Sequence, residues 1–145
     1  MFSRDFFTEK DKAQIVQAIQ QAETNTSGEI RVHLESRCAK DVLERASEVF
    51  SLLEMHKTEL RNGVLFYLAT EDRKFAVIGD AGINQVVPPN FWDSLKENIK
   101  IHFKEKQFAE GLSKGIIEAG NLLKEKFPYQ TNDTNELPDD ISYGN

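Results

Sequence analysis

Four side chains whose oxygen atoms could bind a cation lie beside the hydrophobic segments of this 145-residue chain: Glu29, Asn62, Asp80 and Asn84. Glu29 opens an alternating segment, Asn62 precedes an apolar run, and Asp80 follows another such run. Carboxylate and amide oxygens are the ligands that hard divalent cations prefer in proteins. The pattern therefore predicts a divalent-cation site at Glu29, Asn62, Asp80 and Asn84, with Asn25 as a weaker candidate. The alternative interpretation is that carboxylates at strand ends are solvated or cap the next element.

The hydrophobic pattern indicates which elements would position these residues. Residues 29–35 alternate strictly between polar and apolar, as in a strand with one buried face, and residues 63–69 form the apolar run of a strand covered on both faces. A helix over residues 40–56 lies between them, so we expect a right-handed parallel crossover. Residues 74–79 return after a short turn as an antiparallel strand.

This chain direction determines which side chains share an edge of the sheet. Glu29 and Asn62 stand where the two parallel strands begin, and Asp80 stands where the antiparallel strand ends, so the three are expected at one edge. Asp72 belongs to the hairpin turn and is expected at the opposite edge. Residues 80–89 read as a loop with room for a short strand over 83–87.

Apolar residues at helical spacing predict four helices, over residues 8–23, 40–56, 90–106 and 107–127. With the three strands they predict an α/β fold: a small mixed sheet, a parallel β-α-β unit plus an antiparallel hairpin, flanked by about four helices in a Rossmann-like sandwich. We expect one domain over residues 1–128. Residues 129–145 are polar and acidic, and they predict a disordered tail.

Composition limits the classes of partner. The net charge is −6, four of the negative charges lie in the tail without any Lys or Arg, and no basic patch stands out, so nucleic-acid binding is not expected. No apolar run approaches the roughly 20 residues of a membrane span, and the first residues lack the pattern of a signal peptide. We expect a cytoplasmic location.

Several side chains that could carry chemistry have simpler structural interpretations. Cys38 is the single cysteine, which excludes an internal disulfide and favours packing as a small apolar group. His33 lies on the polar face of its strand and is expected to be solvated. Gly111, Gly115 and Gly120 lower helix propensity and indicate close packing against a neighbouring element. The sequence has no P-loop, nucleophile elbow, EF-hand loop or zinc spacing.

Short segments in a fixed order carry a family resemblance: Thr26-Ser27-Gly28-Glu29-Ile30, Asn62-Gly63-Val64-Leu65, Asp72-Arg73-Lys74 and Phe108-Ala109-Glu110-Gly111-Leu112. Over roughly residues 6–127, they resemble the TPM domain family, named for a thylakoid lumen protein, a photosystem II repair protein and a modulator of a levamisole receptor. The resemblance implies a Rossmann-like sandwich without dinucleotide binding. It also implies a divalent metal, calcium in particular, at the acidic loops, and a plant member is associated with acid phosphatase activity.

The chain departs from the family pattern at two places. Gly79-Asp80-Ala81-Gly82 stands where the family often has Gly-Tyr-Gly-Leu, and Asn90 stands where the family often has Asp. By this comparison, Asp80 would replace the carboxylate that is missing at position 90.

Three hypotheses about function follow. The first is a regulatory or interaction module that binds a divalent cation, calcium first and magnesium as the alternative, and presents a surface to an unidentified protein partner. The second is a metal-dependent phosphomonoester hydrolase, with Asp80 or Glu29 as ligand or base. The third is an interaction module that needs no metal.

Overall fold

The computed structural model describes residues 5–129 and 137–144 of the chain. Their elements follow in the order α1 (Glu9–Glu23), β1 (Glu29–Glu35), α2 (Val42–Leu52), a 3-10 turn (Met55–Lys57), β2 (Gly63–Ala69), β3 (Lys74–Gly79), α3 (Ala81–Asn84), α4 (Phe91–Lys104), α5 (Phe108–Lys126) and β4 (Ile141–Tyr143). The predicted α/β fold class is confirmed, and the four expected helices correspond to α1, α2, α4 and α5.

The four strands form one mixed sheet in the order β3-β2-β1-β4. β1 and β2 are parallel, with Glu29 opposite Gly63, and α2 provides the crossover between them. β2 and β3 form the predicted antiparallel hairpin, in which Ala69 pairs with Lys74. At its turn, Asp72 accepts a 2.7 Å hydrogen bond from the Cys38 N–H, which fixes the hairpin to the segment that leads into α2.

Helices cover both faces of the sheet, and each face has its own apolar core. α1, α4 and α5 pack with alternate residues of β1 and β2, among them Ile30, Val32 and Phe66. On the opposite face α2 packs on the other set of β2 residues, which includes Leu65 and Tyr67. The continuous apolar run of β2 is therefore buried on both faces, as its sequence predicts.

Local signals in the sequence account for the ends of α1. The Thr8 hydroxyl accepts the Asp11 N–H and the Asp11 carboxylate accepts the Thr8 N–H, so a complete capping box begins the helix. Helix α1 ends at Glu23, and Asn25 adopts a left-handed conformation with φ of 66°. No helix in the described residues is long and apolar enough to cross a membrane.

The polar face of β1 is buried, contrary to the expectation of a solvated His33. All seven residues of β1 are buried, and the exposed fraction of His33 is 6%. α2 packs on this side of the sheet together with Leu137, and β4 pairs with the free edge of β1. Alternation in a sequence identifies two faces, but it does not determine whether the polar face reaches solvent.

Two further predictions need correction. Residues 141–143 were expected in a disordered tail, yet they form β4, which pairs in parallel with β1; residues 130–136 of the expected tail lie outside the described residues. The segment 80–89 contains no strand over 83–87, since the single-turn helix α3 begins directly after Asp80. Asn90 precedes α4 in a left-handed conformation and makes no side-chain cap.

The glycines of α5 allow close approach to its neighbours, as predicted. A Cβ atom added to Gly115 would overlap the side chain of Ile99 in α4. A Cβ atom on Gly120 would lie 2.5 Å from Cβ and 2.7 Å from Cα of Ala22 in α1. These two helices can therefore pack on α5 only because the side chain is absent at these positions.

We predict that Gly120→Ala lowers the free energy of unfolding by about 1–3 kcal/mol, because overpacking against the backbone of Ala22 outweighs the better helix propensity of Ala. Asn121→Ala is the matched control, since Asn121 is exposed on the same helix and should gain a few tenths of a kcal/mol. Urea unfolding measures both. Equal stability changes in the two variants would contradict the packing explanation.

Candidate functional site

Three of the four predicted cation ligands lie at one edge of the sheet, as the chain direction predicts. The Glu29 N–H donates to the Asn62 carbonyl at 3.3 Å, and the Asp80 N–H donates to the Gly63 carbonyl at 2.9 Å. Glu29 therefore pairs with Asn62, and Asp80 pairs with Gly63, the residue that follows Asn62. Their side chains, however, have different surroundings.

The carboxylate of Asp80 accepts hydrogen bonds from other groups of the protein. It accepts two hydrogen bonds from Arg61, from Nε at 2.7 Å and Nη2 at 2.8 Å. It also accepts the Ala81 N–H at 2.7 Å and so caps α3. A cation at Asp80 would compete with the Arg61 guanidinium, so the geometry gives Asp80 a role in fixing the loop.

Asn84 is likewise committed to internal bonds. Its Nδ2 donates to the Gly79 carbonyl at 2.9 Å, and its Oδ1 accepts the indole N–H of Trp92 at 3.0 Å. The amide oxygen that could have contacted a cation therefore fixes α4 against the end of β3.

Asn62 faces Glu29 and the loop before β1. Its Nδ2 donates to the Ser27 hydroxyl at 3.3 Å. Its Oδ1 is buried and has no hydrogen-bond partner within the described part of the chain. A buried acceptor in this state costs free energy, so Asn62 retains an oxygen that could accept a ligand.

An acidic pocket lies next to this edge, between the end of α1 and the start of β1. Its volume is about 270 Å³, and three carboxyl groups line it, those of Glu23, Glu29 and Asp139. Polar groups of the loop 24–28 complete the wall, and they include the weaker candidate Asn25. Of the predicted ligands, Glu29 lines this pocket, and Asn62 contacts it through Ser27.

The environment of Glu23 strongly disfavours its charged form. Burial is the largest cause, and the hydrogen bond between its carboxyl group and that of Asp139 is the next; together they raise the pKa of Glu23 to about 10. The negative charge of Glu29 acts in the same direction, whereas the Ile30 N–H, which donates to Glu23 Oε2 at 2.8 Å, acts against it. The protonated form of Glu23 is therefore favoured at neutral pH, and it bonds to Asp139.

The loop 24–28 is fixed by the sequence Thr26-Ser27-Gly28. Thr26 is buried, its hydroxyl lies 3.0 Å from the Leu123 carbonyl oxygen, and it accepts the Gly28 N–H at 3.1 Å. A Cβ atom on Gly28 would lie 2.8 Å from the side chain of Leu123. These contacts with the end of α5 hold one wall of the acidic pocket in place.

Within residues 5–129 and 137–144, no three His, Cys, Asp or Glu side chains are arranged to hold a metal ion. The acidic pocket therefore offers carboxyl groups that are near one another without a completed coordination shell.

Sequence reasoning missed Glu23 and Asp139. A signal for Glu23 was available, because a carboxylate in the last turn of a helix opposes the helix dipole and has no local reason to be there. Asp139 gave no such signal. It stands in the acidic segment that composition assigned to a disordered tail, and only the pairing of β4 with β1 brings it to Glu23.

A second group of titratable side chains lies on the buried face of β1. Glu35 is fully buried and accepts hydrogen bonds from Arg45 and Tyr67, and from His33 Nε2 at 3.2 Å. Burial alone would raise the pKa of Glu35, but these donors outweigh it and lower the pKa. The other nitrogen of His33 lies 2.7 Å from the Ser142 hydroxyl in β4. This network connects α2, β2 and β4 to β1.

Comparison with known proteins adds family information. Residues 2–122 match the sequence profile of the TPM domain. The chain is similar to the BA42 protein of the psychrophilic bacterium Bizionia argentinensis, whose solved structure is 48% identical, covers 97% of each chain and gives a TM-score of 0.90.

Two more distant structures have the same fold. The N-terminal domain of the cg2496 protein from Corynebacterium glutamicum is 13% identical with a TM-score of 0.66, covering 86% of this chain and 79% of that chain. The N-terminal domain of a protein from P. gingivalis is 15% identical with a TM-score of 0.72, covering 88% and 84%. Among curated proteins no significant match is found.

The pH dependence of stability should report on Glu23. The folded protein holds this proton up to a pH of about 10, whereas an unperturbed Glu releases it near 4.5. The contribution of Glu23 is therefore fully present below about pH 4.5 and is lost as the pH rises towards 10. We predict that the metal-free protein loses stability over this range relative to Glu23→Gln, as measured by urea unfolding in a chelating buffer.

Glu125→Gln is the control for this measurement, because the Glu125 side chain is 70% exposed. Its stability should follow that of the wild-type protein with pH. Parallel curves for Glu23→Gln and the wild-type protein would contradict the assigned protonation.

Proposed function

The chain belongs to the TPM domain family, and from this premise we propose that it binds a divalent cation, calcium in the first place, at the acidic pocket. The proposed ligands include Glu23, Glu29 and Asp139, with Asn62 as a further oxygen donor. Their side chains would have to move together around the ion, because no three acidic side chains of the described residues are already placed to hold one. Glu29 and Asn62 are common to this site and the one predicted from sequence. Asp80 and Asn84 are left out because their oxygens are bonded to Arg61 and Trp92.

One observation carries the proposal: two carboxyl groups, those of Glu23 and Asp139, share a hydrogen bond in a pocket that a third acid also lines. Burial and this hydrogen bond raise the pKa of Glu23 to about 10, so Glu23 holds a proton at neutral pH. A divalent cation would replace that proton and allow all three groups to be charged. The donors are all oxygens, which is the preference of calcium and magnesium.

The surrounding backbone also favours positive charge. The pocket lies at the carboxyl end of α1, where Thr24 is the capping residue. Unpaired carbonyl groups give this end of a helix a partial negative charge, and cations are stabilised there. The loop 24–28, which α5 holds in place, adds backbone and side-chain oxygens to the same wall.

Calcium is favoured over magnesium on geometric grounds. Calcium accepts six to eight oxygens in flexible arrangements, whereas magnesium demands a near-ideal octahedron. A pocket without a completed coordination shell suits the more tolerant ion. Such a site predicts a weak dissociation constant, on the order of 10⁻⁴ to 10⁻³ M.

In this proposal the cation orders the region where α1, β1 and the C-terminal segment 137–144 meet. A protein partner would recognise the surface of this ordered region. The hydrolase alternative stays a prediction from the family resemblance, because no contact in the described residues favours it over cation binding. The metal-independent interaction module also stays a prediction, and the experiment below separates it from the first.

Calcium titration followed by amide NMR shifts tests the proposal. We predict that the shifts concentrate at residues 23–30 and 139–140, and that Asp139→Asn weakens binding at least about tenfold, as loss of a charged ligand does. Because Glu23 must release its proton, affinity should rise with pH, by up to about tenfold per unit.

Asp80→Asn is the discriminating control. It should lower stability through its lost contacts with Arg61 and α3, yet leave calcium affinity unchanged. Loss of affinity in Asp80→Asn, with retention in Asp139→Asn, would place the ion at the edge predicted from sequence instead. The absence of localised shifts would reject a cation site and favour the metal-independent module.

A further inference from the structure

Arg31 is a buried cation whose Nε finds no hydrogen-bond partner among the residues that the structure describes. It stands in the middle of β1 and is 8% exposed. Its Nε is buried and bonds to no atom of residues 5–129 and 137–144. Burial of a charged group with an unpaired donor is unfavourable, and proteins usually compensate it with an anion.

A cavity of about 350 Å³ opens beside this side chain. Its lining combines the polar residues Arg31, Glu54, Lys57 and Thr58 with the apolar residues Leu53, Leu137 and Pro138. A cavity of this size accommodates a small organic molecule. Charged and apolar lining residues together suit a molecule that carries both an anionic group and an apolar group.

The charges that act on the cavity leave the guanidinium of Arg31 as its main anion-binding group. Lys57 is paired with Glu54 at 3.1 Å, so these two side chains largely cancel. Burial lowers the pKa of Arg31, and the negative charge of Asp140 offsets this in part. Asp140 is exposed, so its charge is screened and compensates the guanidinium incompletely.

Thr58 provides a further polar group in the cavity. Its side chain is buried and accepts the Asn62 N–H at 3.3 Å. The hydroxyl hydrogen can still be donated, because a hydroxyl has one donor and two acceptor positions. Arg31 and Thr58 together can therefore present charged and neutral donors to the same oxyanion.

We propose that this cavity, which we name the Arg31 cavity, binds a small organic oxyanion: a phosphate monoester or a carboxylate that carries a compact apolar group. The Arg31 guanidinium binds the oxyanion, Thr58 donates to it, and Leu53, Leu137 and Pro138 contact the apolar group. Planar guanidinium groups are well suited to oxyanions because they can donate two parallel hydrogen bonds. This site is separate from the proposed cation site and does not depend on it.

Amide NMR titration of the full chain with phenyl phosphate and with benzoate tests this proposal, and comparison of the two separates the phosphate source from the carboxylate source. We expect amide shifts at residues 31, 53–58 and 137 with at least one of the probes. In Arg31→Gln, affinity for that probe should fall at least about tenfold. Arg37→Gln, which removes an equal charge from a side chain that is 76% exposed, should bind like the wild-type protein.

Thermal unfolding of the same variants distinguishes ligand binding from a structural role. Since burial of the Arg31 charge is unfavourable and its Nε is unbonded within the described residues, Arg31→Gln should have a Tm equal to or above that of the wild-type protein. A lowered Tm together with unchanged affinity would assign Arg31 to stability alone and overturn the proposal. Shifts confined to residues outside the cavity, or no shifts with either probe, would also overturn it.

Asp140→Asn provides a test that does not alter the buried residue. Removing this exposed carboxylate takes away the charge that partly neutralises Arg31, so affinity for the oxyanion should rise. Unchanged or weaker binding in Asp140→Asn would contradict the role given to the guanidinium.

Discussion

Burial of the polar face of β1 is the constraint on which the rest of the structure depends. Glu29, Arg31, His33 and Glu35 alternate with apolar residues along one strand, and all four are buried. Charged groups can be buried only where partners compensate them. The elements packed on this face must therefore supply donors, acceptors or countercharges at fixed positions, and much of the architecture meets this requirement.

The compensation differs along the strand. At the C-terminal end of β1, the Glu35 carboxylate accepts hydrogen bonds from Arg45 in α2 and Tyr67 in β2, and these bonds stabilise the fold. At the N-terminal end, Glu29 lies beside Glu23 and Asp139, a set with an excess of negative charge. Between them, the buried Nε of Arg31 has no hydrogen-bond partner within the described residues. A polar network in which every group is hydrogen-bonded stabilises the fold by itself. At the acidic pocket and the Arg31 cavity the compensation is incomplete, so a bound ligand of opposite charge would lower the free energy of the folded protein.

The C-terminal segment 137–144 contacts the Arg31 cavity, the acidic pocket and the network around Glu35. Leu137 packs beside the cavity of Arg31, Asp139 bonds to Glu23, and Ser142 bonds to His33 while β4 pairs with β1. Residues of this segment line both the proposed cation site and the proposed oxyanion site, so both depend on its docking. Removal of the segment would expose the edge of β1 and leave its charged residues to water.

The sequence by itself determined the helices, the parallel crossover, the hairpin and the shared edge of Glu29, Asn62 and Asp80, because periodicity and chain direction are local properties. It could not determine which oxygens at that edge were already bonded, since Arg61 reaches Asp80 only in the folded chain. Nor could it place Asp139 against Glu23, which are more than one hundred residues apart. Composition predicted disorder for residues 141–143 together with the rest of the tail. In the folded chain these residues form β4, because the edge of β1 supplies hydrogen bonds and apolar contacts that offset the entropy of ordering them.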